Sequence, residues 1–316
     1  MITILFLILG LVVLTVGADF LVRGASAIAA RLGLSALVIG LTVVAFGTSA
    51  PELAVSVKAS LAGQGGIAVG NIVGSNIFNV AAILGISALI CPLAVNLNII
   101  RRDMPIMLAA SVLFVLLLTT GGELARWEGL LMFAILLVYT SWSIRVSKRE
   151  LSAGMEIVLP DGAGPTPPGR PLVFSVGLAL VGLVMLVVGA RLFVDNASAI
   201  ARVLGWSEAA IGLTIVAAGT SMPELATSVV ASIRRQTDIA IGNVVGSNIF
   251  NLLCIGGLAA SVNPLETGGV RLVDFGAMLV TSVILLPLMR SGFRISRAEG
   301  AVLIALFLAY LWLVWP

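Results

Sequence analysis

The stretches Gly47-Thr48-Ser49-Ala50-Pro51-Glu52-Leu53 and Gly219-Thr220-Ser221-Met222-Pro223-Glu224-Leu225 are near copies set 172 residues apart. Each places one glutamate inside an otherwise apolar run. An ionised carboxylate at membrane depth is costly unless something pairs with it, so intramembrane acids mark functional sites by default. A duplicated segment that delivers two such acids predicts a two-fold cation site at the centre of a transporter.

The surrounding composition agrees with a membrane setting. The 316 residues are 59% hydrophobic and only 10% charged, with a mean hydropathy of +1.16. A soluble chain carries about 25% charged residues. Long apolar stretches recur along the whole length, so no single one reads as a cleavable signal peptide. The first, Ile2–Val16, lacks a basic leader and reads as a retained span. The net charge of +3 and pI near 9.3 come from Arg and Lys in loops. No basic run is long enough for nucleic acid. Cys91 and Cys254 fall in apolar segments and read as buried small hydrophobes. Histidine is absent, which excludes His-ligated zinc, His proton relays and Ser-His-Asp chemistry. No cofactor motif and no obligatory protein partner is evident, and the surroundings are the lipid bilayer.

Apolar runs set against turn and charge signals predict an all-α integral membrane protein of ten spans. They lie near 2–22, 36–62, 67–91, 104–121, 127–146, 172–193, 208–233, 239–262, 272–289 and 298–315. The one strongly polar stretch, 147–171, is rich in Pro, Gly and charge and reads as a flexible linker. It separates an N-terminal repeat, 1–146, from a C-terminal repeat, 172–316. Five spans per half force the second copy to enter the membrane from the opposite side, so the repeats are expected to be inverted.

With the N-terminus outside, the cytoplasmic loops and span ends collect 13 of the 18 Arg and Lys residues. Only Lys58, Arg126, Arg191, Arg202 and Arg271 fall outside. That bias predicts both termini outside and the linker cytoplasmic, in a cell (inner) membrane. Trp127, Trp142, Trp312 and Trp315 lie near span ends, where interfacial anchors belong.

Between Gly40–Asn79 and Gly212–Asn251, 28 of 40 positions are identical. Beyond the ungapped stretch that surrounds this block, similarity fades. Apolar helices need to keep only hydrophobicity, so retained Gly, Thr, Ser, Pro, Glu and Asn imply that both copies meet one chemical constraint. In the first motif, proline removes a helical hydrogen bond and glycine loosens the preceding turn. The break is expected near the membrane midplane, with freed carbonyls near Ala45 and Ala217 facing a protein-lined cavity. Thr48 and Glu52, like Thr220 and Glu224, are four apart and share a helix face. The second motif runs from Gly70 to Asn79 and again from Gly242 to Asn251. There Ser75 and Asn79, and Ser247 and Asn251, share a face. Hydroxyl, amide and carboxylate oxygens suit hard cations such as Ca²⁺, Mg²⁺ and Na⁺. A cage of oxygens between inverted repeats of broken helices is a recurrent transporter design.

Plainer roles compete. Thr48, Thr220, Ser75 and Ser247 could back-bond to the preceding turn. Ser49 and Ser221 could contribute through backbone carbonyls. Asn71, Asn76, Asn243 and Asn248 could tie the broken helices together. Gly70, Gly74, Gly242 and Gly246 read as close helix packing. Lys58 reads as snorkelling to the outer interface rather than as an internal counter-charge. Asp19 and Asp195 are expected solvated or paired with Arg23 or Arg191, and Asp238 solvated.

The paired G-T-S-x-P-E and G-x-x-V-G-S-N-I blocks resemble the α-repeats of the cation/calcium exchanger superfamily, in its prokaryotic sodium/calcium exchanger form. The resemblance covers both repeats and the span count. It implies that Glu52 and Glu224 are the central metal ligands. It adds the hydroxyl and carbonyl ligands Thr48, Ser49, Ala45 and Ser75 in one half, and Thr220, Ser221, Ala217 and Ser247 in the other. The remaining position maps onto Asn79 and Asn251. Some relatives, potassium-dependent members among them, carry aspartate at the second-repeat position, so Asn251 argues against potassium coupling.

Two acids give the site a formal charge of −2, which one Ca²⁺, two Na⁺ or two H⁺ would neutralise. Ions that compete for the same carboxylates cannot all bind together, and that is the physical basis of exchange. The expectation is a Na⁺/Ca²⁺ antiporter working by alternating access, with the first and sixth spans as the sliding unit by family analogy. Ca²⁺/H⁺ exchange on the same scaffold is the nearest alternative, although proton-coupled relatives usually show a G-N-x-x-E form. A passive cation channel and a membrane-embedded enzyme are more distant. Channel filters arise from symmetric oligomers or fourfold repeats, and no nucleophile–base pair supports an enzyme.

Overall fold

The structure, a computed structural model, describes residues 2–152, 171–205, 215 and 217–314. The first half holds α1 (Ile2–Leu32), α2 (Ala36–Thr48), α3 (Ala50–Leu61), α4 (Gly65–Ile90), α5 (Ile99–Gly121) and α6 (Arg126–Ser152). The second holds α7 (Leu172–Val203), α8 (Ala217–Thr220), α9 (Met222–Ile233), α10 (Thr237–Val262), α11 (Leu272–Arg290) and α12 (Arg297–Val314). Eight of these helices are long and apolar enough to cross a membrane, and the bent pair α2–α3 makes up to nine. The chain is a multi-pass, all-helical membrane protein. The remaining expected span, near 208–233, begins in residues 206–214, outside the described residues, as do 153–170 of the expected linker and Trp315.

Two expected boundaries are wrong by a wide margin. α1 and α7 were expected to end near residues 22 and 193, but run on to Leu32 and Val203. Charges such as Arg23 and Arg191 mark where a helix leaves hydrocarbon, not where its hydrogen bonding stops. At about 1.5 Å per residue each helix is roughly 46–48 Å long, well beyond the roughly 30 Å hydrocarbon core.

α1 and α7 cross in antiparallel fashion. Gly10 meets Gly189, and Gly17 meets Gly182. A Cβ on Gly182 would lie 2.5 Å from the Leu21 nitrogen and 2.7 Å from the Gly17 carbonyl oxygen. Only hydrogen fits there, and the backbones touch. Each contact is the two-fold mate of the other, as an isologous packing requires. Short strands repeat the pattern. β1 (Leu93–Ala94) pairs with β4 (Arg294–Ile295), and β2 (Glu123–Leu124) pairs with β3 (Leu265–Glu266), so each half supplies one strand to each ladder.

The repeat therefore extends beyond the expected block. Past the strands the offset slips to 171 and equivalence continues. Tyr139 donates to Asp103 at 2.8 Å and Tyr310 donates to Asp274 at 3.0 Å. Glu128 and Glu299 accept from the backbone N–H groups of Ala125 and Ser296 at 2.8 and 2.7 Å.

α4 and α10 form the centre. α10 is buried throughout and α4 over most of its length, while the other spans turn much of their surface outward. Gly242 and Gly246 pack α10 against α2, and a Cβ on Gly246 would lie 2.6 Å from the Leu41 carbonyl oxygen. That is the packing role expected of them. For Gly70 and Gly74 the equivalent neighbours, residues 209–213, lie outside the described residues.

Candidate functional site

α2 and α3 meet at a 49° bend centred on Ser49. Pro51 and Pro223 occupy the first turns of α3 and α9 and lack the N–H that would reach back four residues. The acceptors that lose their donor are therefore Gly47 and Gly219, not Ala45 as expected. The Ala45 carbonyl accepts from the Ser49 N–H at 3.0 Å and from the Thr48 hydroxyl at 3.4 Å. Ala217 opens α8.

The second motif departs from ideal helix in another way. α4 and α10 pass through π-helical turns at Phe78–Ile83 and Asn251–Gly256. These wide turns fall on Asn79 and Asn251, and such turns cluster at functional sites.

The bends bring both halves onto one point. Glu52 and Glu224 are each 1% exposed. Ser49 donates to Glu224 Oε1 at 2.9 Å, and Ser221 donates to Glu52 Oε1 at 2.8 Å. Thr48 lies beside Glu224, and Thr220 beside Glu52. Each glutamate is thus held by a hydroxyl of the opposite half. Ser49 and Ser221 take part through side chains, because their carbonyls accept from Leu53 and Leu225 at 3.1 Å. Ser221 also reaches Ser75 Oγ at 3.3 Å.

Six oxygens of the two motifs are buried with no hydrogen-bond partner among the described residues: Glu52 Oε2, Glu224 Oε2, Asn76 Oδ1, Asn79 Oδ1, Asn251 Oδ1 and Ser247 Oγ. Buried polar atoms are nearly always satisfied. Acceptors left over on both carboxylates and on the asparagines are completed by a bound cation, a proton or a water. Among the described residues neither glutamate forms an ion pair. Lys58 is exposed and does not serve as a counter-charge.

The profile of the family described as sodium/calcium exchanger protein matches residues 2–145 and 174–315. The chain belongs to the sodium/calcium exchanger family. It is 36% identical to the sodium/calcium exchanger MaX1 of Methanosarcina acetivorans, over 98% of both chains. It is 35% identical to the inner membrane protein YrbG of Escherichia coli, over 96% of this chain and 94% of that one. The solved structure of the sodium-calcium exchanger NCX_Mj, soaked with Na⁺ and Ca²⁺, superposes with a TM-score of 0.83 at 30% identity. The superposition covers 100% of this chain and 99% of that one.

In this member of the family, Asn71, Asn243 and Asn248 join helices as the plainer roles suggested, whereas Asn76 folds back onto its own helix. Asn71 donates to Ser56 Oγ at 2.9 Å and to the Glu52 carbonyl at 3.3 Å. Asn243 does the same with Ser228 at 3.0 Å and Glu224 at 3.4 Å. They tie α4 to α3 and α10 to α9. Asn243 also accepts from Thr48 at 3.1 Å, joining the halves. The reading of the sequence passed over Ser56 and Ser228. Both lie within the block of identities, one turn after each glutamate, and that position could have revealed them.

Other side chains depart from expectation. Asp238 is half-buried and hydrogen-bonded to Asn96 rather than solvated. Cys254 is buried, but Cys91 is only partly so, because it lies at the end of α4. Asp19 pairs with Arg23 at 2.8 Å, as expected, and also with Arg234.

Proposed function

We propose that this protein is a secondary antiporter exchanging Na⁺ for Ca²⁺ by alternating access. The observation that carries the proposal is the set of partnerless buried oxygens on Glu52, Glu224, Asn79, Asn251 and Ser247. With Thr48, Thr220, Ser49, Ser221, Ser75 and the carbonyls of Ala45 and Ala217, they make an all-oxygen ligand set. Such a set suits Ca²⁺ and Na⁺ and offers nothing to softer metals.

The chemistry is competition for charge. Glu52 and Glu224 are the only acids in the two motifs, and one Ca²⁺ or two Na⁺ neutralise them. The empty, doubly charged site is too costly to move through a low-dielectric gate, so transport in one direction requires return loaded with the other ion. The hydroxyls of Ser49 and Ser221 donate across the two-fold to the glutamates and would turn their lone pairs toward an arriving cation. The G-T-S-x-P-E form and the kinship with MaX1 and NCX_Mj support Na⁺ as counter-ion.

The scaffold proposed for this cycle has ten spans in two inverted halves, 1–146 and 172–316, joined by a cytoplasmic linker at 147–171. The antiparallel crossing of the equivalent helices α1 and α7 supports the inversion. The distribution of Arg and Lys supports an inner-membrane protein with both termini outside. α1 and α7, fused through glycine contacts and lacking both motifs, form the sliding unit.

The test is Ca²⁺ uptake by proteoliposomes loaded with Na⁺. Outward Na⁺ gradients should drive uptake, and pH gradients should not. Glu52→Gln or Glu224→Gln should reduce uptake at least 100-fold, the scale of losing a buried charge partner, while leaving folded protein. Uptake driven by pH alone, or retained in either variant, overturns the proposal.

A further inference from the structure

We infer that Asn248 is a positioning residue that decides which atom of Asn79 faces the transported cation; the inference rests on the exchange site proposed above. A carboxamide has one end a cation can use, since Oδ1 accepts and Nδ2 only donates. A half-turn of the amide exchanges the two at little steric cost. An asparagine ligand therefore needs something to hold it.

Asn79 is held. Its Nδ2 donates to Asn248 Oδ1 at 3.0 Å, which leaves its own Oδ1 buried and without a partner. Asn248 is fixed in turn, because its Nδ2 faces the Asn76 carbonyl oxygen at 3.4 Å and the Met107 sulfur at 3.7 Å. Both are acceptors only. A flipped Asn248 would set its oxygen against an oxygen and a sulfur, and its NH₂ against that of Asn79. Asn248 and Met107 are both 0% exposed, so water cannot relieve the mismatch.

The two-fold mate of this arrangement is missing. Asn76, the repeat equivalent of Asn248, folds its Nδ2 back onto the Ile72 carbonyl at 2.7 Å, and its Oδ1 has no partner. Asn251 thus receives no hold of the kind Asn79 receives. Identical motifs carry unequal duties: Asn248 positions a ligand and Asn76 does not.

The experiment measures KM for Ca²⁺ and maximal rate of Na⁺-driven uptake by the full chain in proteoliposomes. Asn248→Leu should raise KM on the order of tenfold with the maximal rate kept within about twofold, as expected for loss of one oriented polar contact. Asn76→Leu should change KM by less than about twofold. The decisive arm places Asn248→Leu in an N79D background. A carboxylate has two equivalent oxygens and needs no orienting, and its oxygen would face Asn248 Oδ1, so there Asn248→Leu should leave KM unchanged or lower it. An equal rise in both backgrounds, or no rise in either, overturns the inference. Met107→Leu, a milder change, gives the same reading should Asn248→Leu not fold, with a smaller rise that N79D abolishes. Failure of wild-type Na⁺-driven uptake would instead sink the exchange site itself.

Discussion

The two ends of the α1–α7 unit are related by the repeat but are not equally engaged. At one end, α1 is tied down: Asp19 pairs with Arg23 and with Arg234 in the turn after α9, and Ser26 donates to Gln236 at 2.9 Å. At the other end the equivalent positions are Arg191, Ala62, Ser198 and Gln64. Arg191 and Ala62 cannot form an ion pair. Ser198 Oγ is buried with no partner among the described residues, while Gln64 is exposed. Among the described residues, the Asp19–Arg234 pair and the Ser26–Gln236 hydrogen bond have no counterpart at the other end. With the topology proposed above, the latched end is the cytoplasmic one. Two-fold symmetry permits two states related by exchange of the halves, and these few side chains would favour one of them.

Three variants would break or sharpen this comparison. The largest effect should come from Gly182→Leu, because the new side chain meets backbone at 2.5–2.7 Å on α1 and overpacking against backbone costs about 3 kcal/mol or more. The α1–α7 unit should come apart at both ends, measured as loss of monodisperse, thermally stable protein in detergent. Retained stability would show that the glycine contact is incidental.

Arg234→Ala should act only on the latch. The pair is partly exposed, so its removal should shift the state equilibrium about threefold to fivefold toward the unlatched form. Spin labels at the exposed positions Arg31 and Arg235 should report a longer distance population. An unchanged distribution would assign the closure to Ser26–Gln236 and packing alone.

The smallest effect, about twofold, is expected from building the missing latch with Ala62→Arg and Arg191→Asp together. It should raise the same long-distance population without touching that end of the molecule. A shift the other way would mean that the two ends do not close by equivalent motions.

Much of the fold was legible because membrane insertion is itself a composition rule. Runs of apolar residues and turn and charge signals place most described span ends to within a few residues, but α1 and α7 continue past their charges and α6 runs on to Ser152, into the expected linker. The candidate site was legible for a different reason. Glu52, Glu224 and their neighbours repeat, and a repeat preserves polar residues in a lipid-facing chain only under shared constraint. The Asp103–Tyr139 and Asp274–Tyr310 pairs were missed because a one-residue slip in the loop after α4 hides the equivalence from an ungapped comparison. The π-helical turns at Asn79 and Asn251 were missed because local propensity does not distinguish them from ordinary helix.

By itself, the sequence determined a multi-span protein with a duplicated pair of acid-bearing motifs, since hydrophobicity and internal identity are properties of the chain alone. Only the tertiary structure decided that hydroxyls of one half serve the glutamate of the other, because that requires both bends to meet at one point. Only it decided, too, that Asn248 and Asn76, or Ser26 and Ser198, play unequal parts. Identical residues in identical motifs carry no mark of asymmetry. It arises when the two halves close on each other and one of two equivalent packings is taken.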